Sequence, residues 1–504
     1  MTPLNIAVYA GSAVYPRFGP FSPAAQYPEY EFKAVGEEPN GAYDAVRECL
    51  FLSGLDRQSF GSDAWNPFGE LVRPGETILL KPNFVRESHP RDPDGWQYVI
   101  THSSIIRAVS DYLWKALKGR GRIIVGDAPQ TDSSFARIRD LLQLDSLTRF
   151  YRSSGLDFSV VDLRKEEWRN EGGVIVDRRQ LAGDPEGYVK FDLGNSSEFY
   201  QHKGVGQYYG ADYCERELNG HHSKGRHEYL ISGTAIKADV VFSLPKLKTH
   251  KKAGITVSLK NLVGINGDKN WLPHHTEPSL RFGGDERPKL TFKGFGERWM
   301  ARRMRQLSLV TPQVGTLLHQ RVRKAGSLVL GDTESVVRSG NWWGNDTLWR
   351  TCLDLNKILL YGNPDGTMRS PQHSNRKRHF VLVDGIIAGD GNGPMNPDPV
   401  HAGVVVFGTQ APRVDAVCAV LMGFDSERIP IVRNAFTARE YSLVDGVPEN
   451  TTVISNRRFW SGNLAQIEVA DTLKFRPHFG WVGRIERSRA SIQSPESEFA
   501  AMGS

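Results

Sequence analysis

The sequence predicts an α/β protein built on a mostly parallel, helix-covered sheet. Short runs of β-branched residues recur along the chain and end at turn residues, and several are apolar at consecutive positions, as in strands buried on both faces. Helix-like stretches at 42–55 and 103–121 separate some of these runs, and such alternation favours a parallel sheet. The predicted strands are LNIAVY (4–9), TILLK (77–81), RIIVGD (122–127), FSVVDL (158–163), ADVVFSLP (238–245), HFVLVDG (379–385) and AGVVVFG (402–408).

The pattern changes at two places, which suggests a division of the chain. Residues 1–425 carry the strand and helix alternation and form the predicted core. Within it, residues 278–340 resemble an inserted helical segment, because 281–324 contain eleven Lys and Arg against three acids. Residues 426–504 are less regular, and we interpret them as a C-terminal extension that ends in a flexible polar tail.

Net charge favours anionic partners without indicating a nucleic-acid binder. The 504 residues include 63 Lys and Arg against 57 Asp and Glu, which gives a formal charge of +6. This excess is far below that of a dedicated nucleic-acid-binding protein. A phosphorylated or carboxylate small molecule suits it equally well.

The cysteines and the apolar runs set further limits. Cys49, Cys214, Cys352 and Cys418 are scattered and form no C-x-x-C pair, so neither a zinc ribbon nor an iron–sulfur cluster is encoded locally. No apolar run approaches the roughly 20 residues that span a bilayer, and the N-terminus has no basic segment before its apolar stretch. The sequence therefore predicts a cytoplasmic protein.

Polar residues follow four of the predicted strands, where an open α/β sheet binds its ligands. Each could simply mark the point at which a strand reaches water. Their joint occurrence instead favours a charged rim that binds an anionic substrate, with Asn261 as a further binding residue. The candidates after the strands are Lys81, Asn83, Asp127, Lys246, Lys248, His250, Asp384, Asp390 and Asn392.

His250 and Lys260 are the strongest candidates for chemistry, together with Asp127 and Asp384. An imidazole exchanges protons near neutral pH, and neighbouring lysines favour its neutral form, so His250 is a candidate general base. Lys260 follows apolar residues, and partial burial would make it a nucleophile, a cofactor anchor or an anion-binding ammonium. Residues 253–263 fit either a helix, which we favour, or a strand.

Two other patterns bear on ligands. The carboxylates of Asp127, Asp384, Asp390 and Asp415 could hold a hard cation such as Mg²⁺, although no spacing rule supports it. The glycines of GDGNGP (389–394) would allow close approach of a phosphate, or form a surface turn. The pair His274-His275 lacks partners at zinc-ligand spacing, so the metal ligands remain unknown.

Five ordered segments carry a recognisable family pattern: LLKPNFV, IIVGDAP, LPKLKTHKKAGITVSLKNLVG, VDGIIAGDGNGP and PRVDAVCAVLMG. They resemble the blocks of the domain-of-unknown-function 362 family (DUF362) from residue 4 to about residue 425, and residues 340–361 resemble a long subgroup of it. Many members attach a ferredoxin-like iron–sulfur module, but no cysteine follows Cys418 here. The resemblance implies a fold and a site without an established reaction.

The block H-x-x-A-G-x-x-x-x-x-K is a second, more distant resemblance. It is similar to a block of the nickel-pincer lactate racemase family, and His250, Ala253, Gly254 and Lys260 have the same spacing here. That resemblance implies an acid/base role for His250 and a cofactor-tethering role for Lys260. Ser258-Leu259 stand where the racemases have a glycine pair.

Three functions follow as hypotheses. The preferred one is an enzyme that acts on an anionic small molecule by proton transfer at His250. The first alternative is a racemase- or epimerase-like enzyme whose metal cofactor attaches at Lys260. A divalent metal ion, Mg²⁺ or Ni²⁺, is the candidate cofactor for the protein. The second is a non-catalytic module that binds a polyanion or a membrane surface, with contacts to anionic surfaces through the basic residues 297–324. The cofactor and the oligomeric state are left open.

Overall fold

The computed structural model describes residues 5–171, 174–210, 214–223, 225–280, 283–289, 336–372 and 376–488. Most of the basic segment predicted at 278–340 lies outside these residues, including 297–324. The polar tail from residue 489 also lies outside them. The hypothesis of a contact with anionic surfaces therefore stays a prediction.

A central sheet of twelve strands organises the described residues. All seven predicted strands belong to it. Their ends agree with the prediction within a few residues, except that the strand predicted at 379–385 continues to Asn392. Its members are β1 (Ile6–Ala10), β2 (Thr77–Pro82), β3 (Arg122–Asp127), β4 (Asp157–Asp162), β11 (Val240–Leu244), β12 (Lys246–His250), β13 (Gly254–Thr256), β15 (Arg378–Asn392), β16 (Asn396–Val400), β17 (Val404–Gly408), β18 (Thr452–Ser455) and β19 (Gly462–Asn463).

Smaller sheets and helices complete the described structure. The other strands are β5 (Glu166–Glu171), β6 (Val174–Gln180), β7 (Tyr188–Asp192), β8 (Tyr208–Tyr209), β9 (His222–Ser223), β10 (Arg226–Ser232) and β14 (His275–Thr276). The α-helices are α1 (Gly41–Leu52), α2 (Ser103–Leu117), α3 (Phe135–Leu141), α4 (Leu144–Ser153), α5 (Glu215–His221), α6 (Gly233–Lys237), α7 (Ser258–Asn261), α8 (Leu348–Tyr361), α9 (Ala411–Met422) and α10 (Pro430–Ala435). The helices predicted at 42–55 and 103–121 correspond to α1 and α2.

The central sheet is largely parallel, as the sequence predicts. Its strand order is β19-β18-β1-β17-β15-β11-β2-β3-β4, and the run from β15 to β4 is parallel throughout. Strands β16 and β17 both pair antiparallel with β15, and β17 also pairs antiparallel with β1. The fold is therefore a parallel α/β sheet with antiparallel additions.

Helices cover both faces of the sheet, which explains the continuous apolar runs. In β2, Ile78 and Leu80 belong to the core cluster that includes α1 and α2. Leu79 points to the opposite cluster, which also contains Leu355 of α8. Because helices cover both faces, side chains at consecutive positions such as 78–80 are buried, which favours apolar residues there.

Pro245 separates β11 from β12, and the strands after it extend the sheet beyond the end of β2. Strand β11 pairs with the first part of β15, and β12 pairs with a later part of the same strand, beyond the end of β2. Strands β13 and β16 extend this edge. Residues 253–263 combine the two predicted alternatives, because Gly254–Thr256 form a strand and Ser258–Asn261 a helix.

The predicted C-terminal extension is integrated with the sheet. Strand β18 lies parallel to β1 and places Val453 opposite Ile6. Trp481 is buried and donates its Nε1–H to the carbonyl of Lys251, at 2.8 Å. Residues after 425 therefore support the loop that follows His250. Among the described residues, no helix has the length and apolarity needed to cross a membrane.

Candidate active site

A cavity of about 490 Å³ opens beyond the carboxyl ends of β2 and β3. Seven lysines and arginines line it, against two aspartates, so its wall is strongly cationic. Three histidines also line it. Six of the residues predicted from strand ends and from α7 reach this wall, namely Asn83, Asp127, Lys248, His250, Lys260 and Asn261.

A buried ion pair forms the floor of this cavity. Lys81 Nζ lies 2.7 Å from Asp127 Oδ1, and the side chain of Lys81 has no exposed surface. Asp127 Oδ2 accepts the backbone N–H of Phe84 at 2.7 Å. Burial lowers the pKa of Lys81, while the Asp127 carboxylate opposes that shift. Because Lys81 and Asp127 are paired with each other, we interpret them as structural and electrostatic groups, and neither is free to act as a catalytic base.

Asn261 connects this floor to the helix α7. Its Nδ2 donates to the Lys81 carbonyl at 2.9 Å and to Ser243 Oγ at 3.0 Å. Its Oδ1 accepts from Lys81 Nζ at 3.2 Å and from Asn83 Nδ2 at 3.3 Å. Every polar atom of this amide is therefore used to hold β2, β11 and α7 together.

The hydrogen bonds of His250 determine which nitrogen carries the proton. Its Nδ1 accepts backbone N–H groups of Lys252 at 3.0 Å and of Ala253 at 3.1 Å. A neutral ring that accepts at Nδ1 must carry its hydrogen on Nε2. Burial first, and then Lys260 and the other nearby cations, hold the pKa of His250 well below 6.5. The neutral ring of His250 thus presents a hydrogen-bond donor at Nε2, and the general-base role expected from the sequence stays a prediction.

His274 has the opposite arrangement. Its Nδ1 lies 2.8 Å from the carbonyl of Leu272, so Nδ1 carries the hydrogen and Nε2 keeps a free lone pair. Burial and the charges of Lys252 and Lys260 hold its pKa well below 6.5. His274 lines the same cavity, and it is the better placed of the two histidines to accept a proton.

We expect these two tautomers to be visible by long-range ¹H–¹⁵N NMR of the imidazole rings. At pH 6, where an ordinary histidine is largely charged, both rings should be neutral, because their pKa values lie well below 6.5. The His250 signals should show hydrogen on Nε2, and the His274 signals hydrogen on Nδ1. His250→Gln and His274→Gln variants assign the signals, and hydrogen on Nδ1 of His250 would contradict the arrangement.

Lys260 is the one cation of the cavity wall for which the described residues supply no hydrogen-bond or ion-pair partner. Its side chain is partly exposed to the cavity, and no carboxylate or carbonyl of the described chain accepts its ammonium hydrogens within hydrogen-bond distance. Burial lowers its pKa below 10.5, and Asp127 partly opposes the shift. Such an ammonium is available to an anion that enters the cavity.

Two further lysines of the wall are held by carbonyl groups. Lys248 Nζ donates to the carbonyl of Val99, and its pKa is lowered well below 10.5 by burial and by the neighbouring lysines. Lys269 Nζ donates to the carbonyls of Val263 and Asn266, at 3.0 and 3.2 Å, and burial lowers its pKa to about 7. Neither amine forms an ion pair with a carboxylate of the described residues, and burial shifts both towards the neutral form.

Asp384 and Lys246, two of the predicted site residues, lie outside the cavity wall. They form their own buried pair at 2.7 Å, with neither side chain exposed. Tyr15 donates its hydroxyl to Asp384, and Lys246 Nζ donates to the carbonyl of Gln97 at 2.9 Å. The structure therefore places this pair in a separate polar cluster, which argues for a stabilising role.

Asp390 and Asn392 also lie away from the cavity wall. Asp390 forms an ion pair with Arg476 at 2.6 Å. Asn392 pairs with Asn396 at the turn between β15 and β16, so GDGNGP is the end of a hairpin. Only its last residue, Pro394, joins the lining of the cavity.

The four carboxylates considered for a cation do not meet. Asp127 and Asp384 are in different ion pairs, and Asp415 accepts the backbone N–H groups of Ser258 and Leu259 at the start of α7. Across the described part of the chain, no three His, Cys, Asp or Glu side chains form a group that could hold a metal ion.

Sequence reasoning missed His274, Lys269 and Gly264. His274 was considered only as a zinc ligand, and its role depends on a local bond to Leu272 that no motif announces. Gly264 packs against the floor so closely that a Cβ there would lie 1.9 Å from Asp127 Oδ1. In the sequence, Gly264 is marked only by being a glycine among apolar residues, which does not indicate that it packs against an ion pair.

The fold and the site define a class: a parallel α/β protein with a cationic cavity beyond its strand ends. Residues 199–420 match the model of the family described as "Domain of unknown function (DUF362)". This match confirms the predicted resemblance over that range, which holds β11 to β17 and most of α9. The first two sequence blocks, on β2 and β3, precede the matched range.

A curated relative has a name but no stated reaction. The chain is 24% identical over 218 residues to "Thylakoid-associated protein sll1697" of Synechocystis sp.. The match covers 43% of this chain and 48% of that protein, so the chain spans about half the length of its relative.

Proposed function

We propose that the protein is an enzyme that binds an anionic small molecule in this cavity and moves a proton on it. The observation that carries the proposal is the grouping of Lys260, without a partner in the described chain, with two neutral histidines of opposite tautomer. A purely structural cation would be expected to have a buried carboxylate or carbonyl partner. Lys81 and Lys269 have such partners.

The roles of the groups follow from their hydrogen bonds. Lys260 attracts the anionic group of the substrate, and His250 donates its Nε2–H to oxygen that gains negative charge during the reaction. His274 Nε2 accepts the proton that leaves the substrate. Lys260, His250 and His274 would each act in the protonation state that they already have in the structure. A site arranged in this way needs no rearrangement before the reaction.

Substrate binding would also strengthen the base. The nearby lysines depress the pKa of His274, which alone makes it a weak proton acceptor. An anion beside Lys260 offsets this positive charge, and the pKa of His274 then rises towards 6.5. Proton transfer is thus coupled to occupancy of the cavity.

Lys260→Met should weaken anion binding. We expect pyrophosphate, measured by isothermal titration calorimetry at pH 7.5, to bind the variant about 10- to 100-fold more weakly, because a charge-assisted hydrogen bond is lost. Affinity of the unaltered protein should fall as pH rises through the depressed pKa of Lys260, so the decline begins below pH 10.5.

Lys33→Met is the matched control, because Lys33 is exposed and does not line the cavity. It should change the affinity by less than about twofold, as expected for a screened surface charge. Equal affinities of the Lys260→Met variant and the unaltered protein would contradict the proposal, as would failure of phosphate and pyrophosphate to bind.

A second candidate function is that of a racemase- or epimerase-like enzyme with a cofactor attached at Lys260, as the racemase resemblance implies. The observation that favours it is that the Lys260 amine has no partner among the described residues. A partly buried amine of lowered pKa fits an attachment point. The described residues supply no matching group of three His, Cys, Asp or Glu ligands for the metal. Intact-mass and metal analysis of protein from its native host tests this candidate, and an unmodified Lys260 without stoichiometric metal would exclude it.

A further inference from the structure

The helix that carries Lys260 is too short to fix its own position. Helix α7 comprises only Ser258–Asn261, about one turn, and Val257 before it provides no side-chain cap. A single turn is unstable by itself, because its first N–H groups and last C=O groups have no partner within the helix. The place from which Lys260 reaches the cavity is therefore determined by contacts with other parts of the chain.

Asp415, on helix α9, supplies the missing cap. Its Oδ1 accepts the backbone N–H of Ser258 at 2.9 Å, and its Oδ2 accepts that of Leu259 at 3.1 Å. Asp415 is only 1% exposed, so water does not compete for these bonds. A capping side chain normally directly precedes its helix, whereas this one lies 157 positions from Ser258. The start of α7 is thus attached to a buried helix of twelve residues.

Asn356, on helix α8, holds Leu259 from its carbonyl side. The buried Nδ2 of Asn356 donates to the carbonyl of Leu259 at 3.0 Å and to that of Cys352, in its own helix, at 2.7 Å. The carbonyl of Leu259 belongs to the peptide group that joins Leu259 to Lys260. Both the N–H and the C=O of Leu259 are therefore bonded to buried side chains, one from each of two helices, directly before Lys260.

We propose that Asp415 is a positioning residue for the anion site, which directs Lys260 into the cavity by capping α7, and that Asn356 supports it from α8. Neither Asp415 nor Asn356 lines the cavity, so both act through the backbone of α7 and not by contact with a bound anion. This inference rests on the proposed anion binding at Lys260 and adds the residues that present its ammonium. A misplacement of about 1 Å is enough to weaken such a site strongly.

A double-mutant cycle of Asp415→Asn with Lys260→Met tests the proposal. Asparagine keeps the shape but places an amide donor where one of the two backbone N–H groups needs an acceptor. Pyrophosphate, titrated by calorimetry at pH 7.5, should bind the Asp415→Asn variant about tenfold more weakly, because Lys260 is displaced. In the Lys260→Met background the same substitution should change the affinity by less than about twofold, because Asp415 acts only through Lys260.

Asn356→Leu repeats the cycle from the carbonyl side and serves as the second variant if Asp415→Asn does not fold. It removes the donor to Leu259 at similar volume and should weaken pyrophosphate binding only where Lys260 is present. Asp384→Asn is the matched control, because it breaks a buried ion pair that does not line the cavity, and its affinity should stay within about threefold of normal. Thermal unfolding verifies that each variant is folded.

Hydrogen exchange examines the cap without any variant. The amide hydrogens of Ser258 and Leu259 should exchange slowly in the unaltered protein, because both are bonded to a buried carboxylate. Fast exchange at both amides would overturn the cap by Asp415.

The outcomes separate this inference from the proposed function. Normal pyrophosphate affinity in the folded Asp415→Asn variant overturns the inference and leaves anion binding at Lys260 intact. An equal loss of affinity with and without Lys260 shows a general effect on the cavity, which also overturns the inference alone. Equal affinities of Lys260→Met and the unaltered protein, or no binding of pyrophosphate at all, overturn the proposed function and the inference with it.

Discussion

Gly264→Ala should destabilise the protein by about 3 kcal/mol or more, the upper part of the range for overpacking a buried site. The added Cβ would lie 1.9 Å from Asp127 Oδ1 and 2.6 Å from Lys81 Nζ. It would therefore push apart the ion pair that forms the floor of the cavity, and neither charge could reach water. Chemical denaturation measures the loss, and pyrophosphate titration should show weaker binding by the protein that still folds.

Gly220→Ala is the control for this substitution. Gly220 lies in α5, and a Cβ there meets no atom within 4 Å. Alanine should be neutral or slightly stabilising at this position, because glycine costs helix stability. Equal unfolding free energies for the alanine variants at 264 and 220 would show that the floor is not packed as described.

Asp384→Asn should cost about 3–5 kcal/mol of unfolding free energy, the range for breaking a buried ion pair. The variant leaves the ammonium of Lys246 buried without its carboxylate, at a place where neither side chain is exposed. Pyrophosphate binding should nevertheless stay within about threefold of normal in the folded protein, because this pair does not line the cavity. Denaturation and calorimetry on the same preparation separate the two effects.

The double variant Lys246→Met with Asp384→Asn completes this test. Removing both charges should recover part of the lost stability, since no uncompensated charge remains. Loss of pyrophosphate binding at unchanged stability in Asp384→Asn would return Asp384 to the site, as the sequence first suggested.

The sheet was predictable because burial on both faces leaves a strong trace in the sequence. Runs such as RIIVGD, observed as β3, have apolar side chains on consecutive positions, and turn residues mark their ends. The largely parallel arrangement followed from the helices between them. The place of β18 beside β1 was not predictable, because only long-range packing pairs strands so distant in sequence.

The site was predictable only in part, since strand ends indicate where polar groups lie but not which groups they face. Lys81 lies near the end of β2 and Lys246 begins β12, yet each is paired with a different aspartate. The proton positions on His250 and His274 depend on backbone groups two or three residues away. Residue identity and spacing do not carry this information.

The pairing of β18 with β1 bears on how shortened forms of the protein would behave. A fragment that stops at residue 425 lacks β18 and therefore leaves one side of β1 without its ladder. Open strand edges of this kind recruit other chains and promote aggregation. The same fragment also lacks Trp481, which donates a hydrogen bond to the Lys251 carbonyl and so supports the backbone next to His250. Insolubility of such a fragment would reflect the loss of β18 beside β1, and its failure to bind anions would say nothing about the side chains that line the cavity.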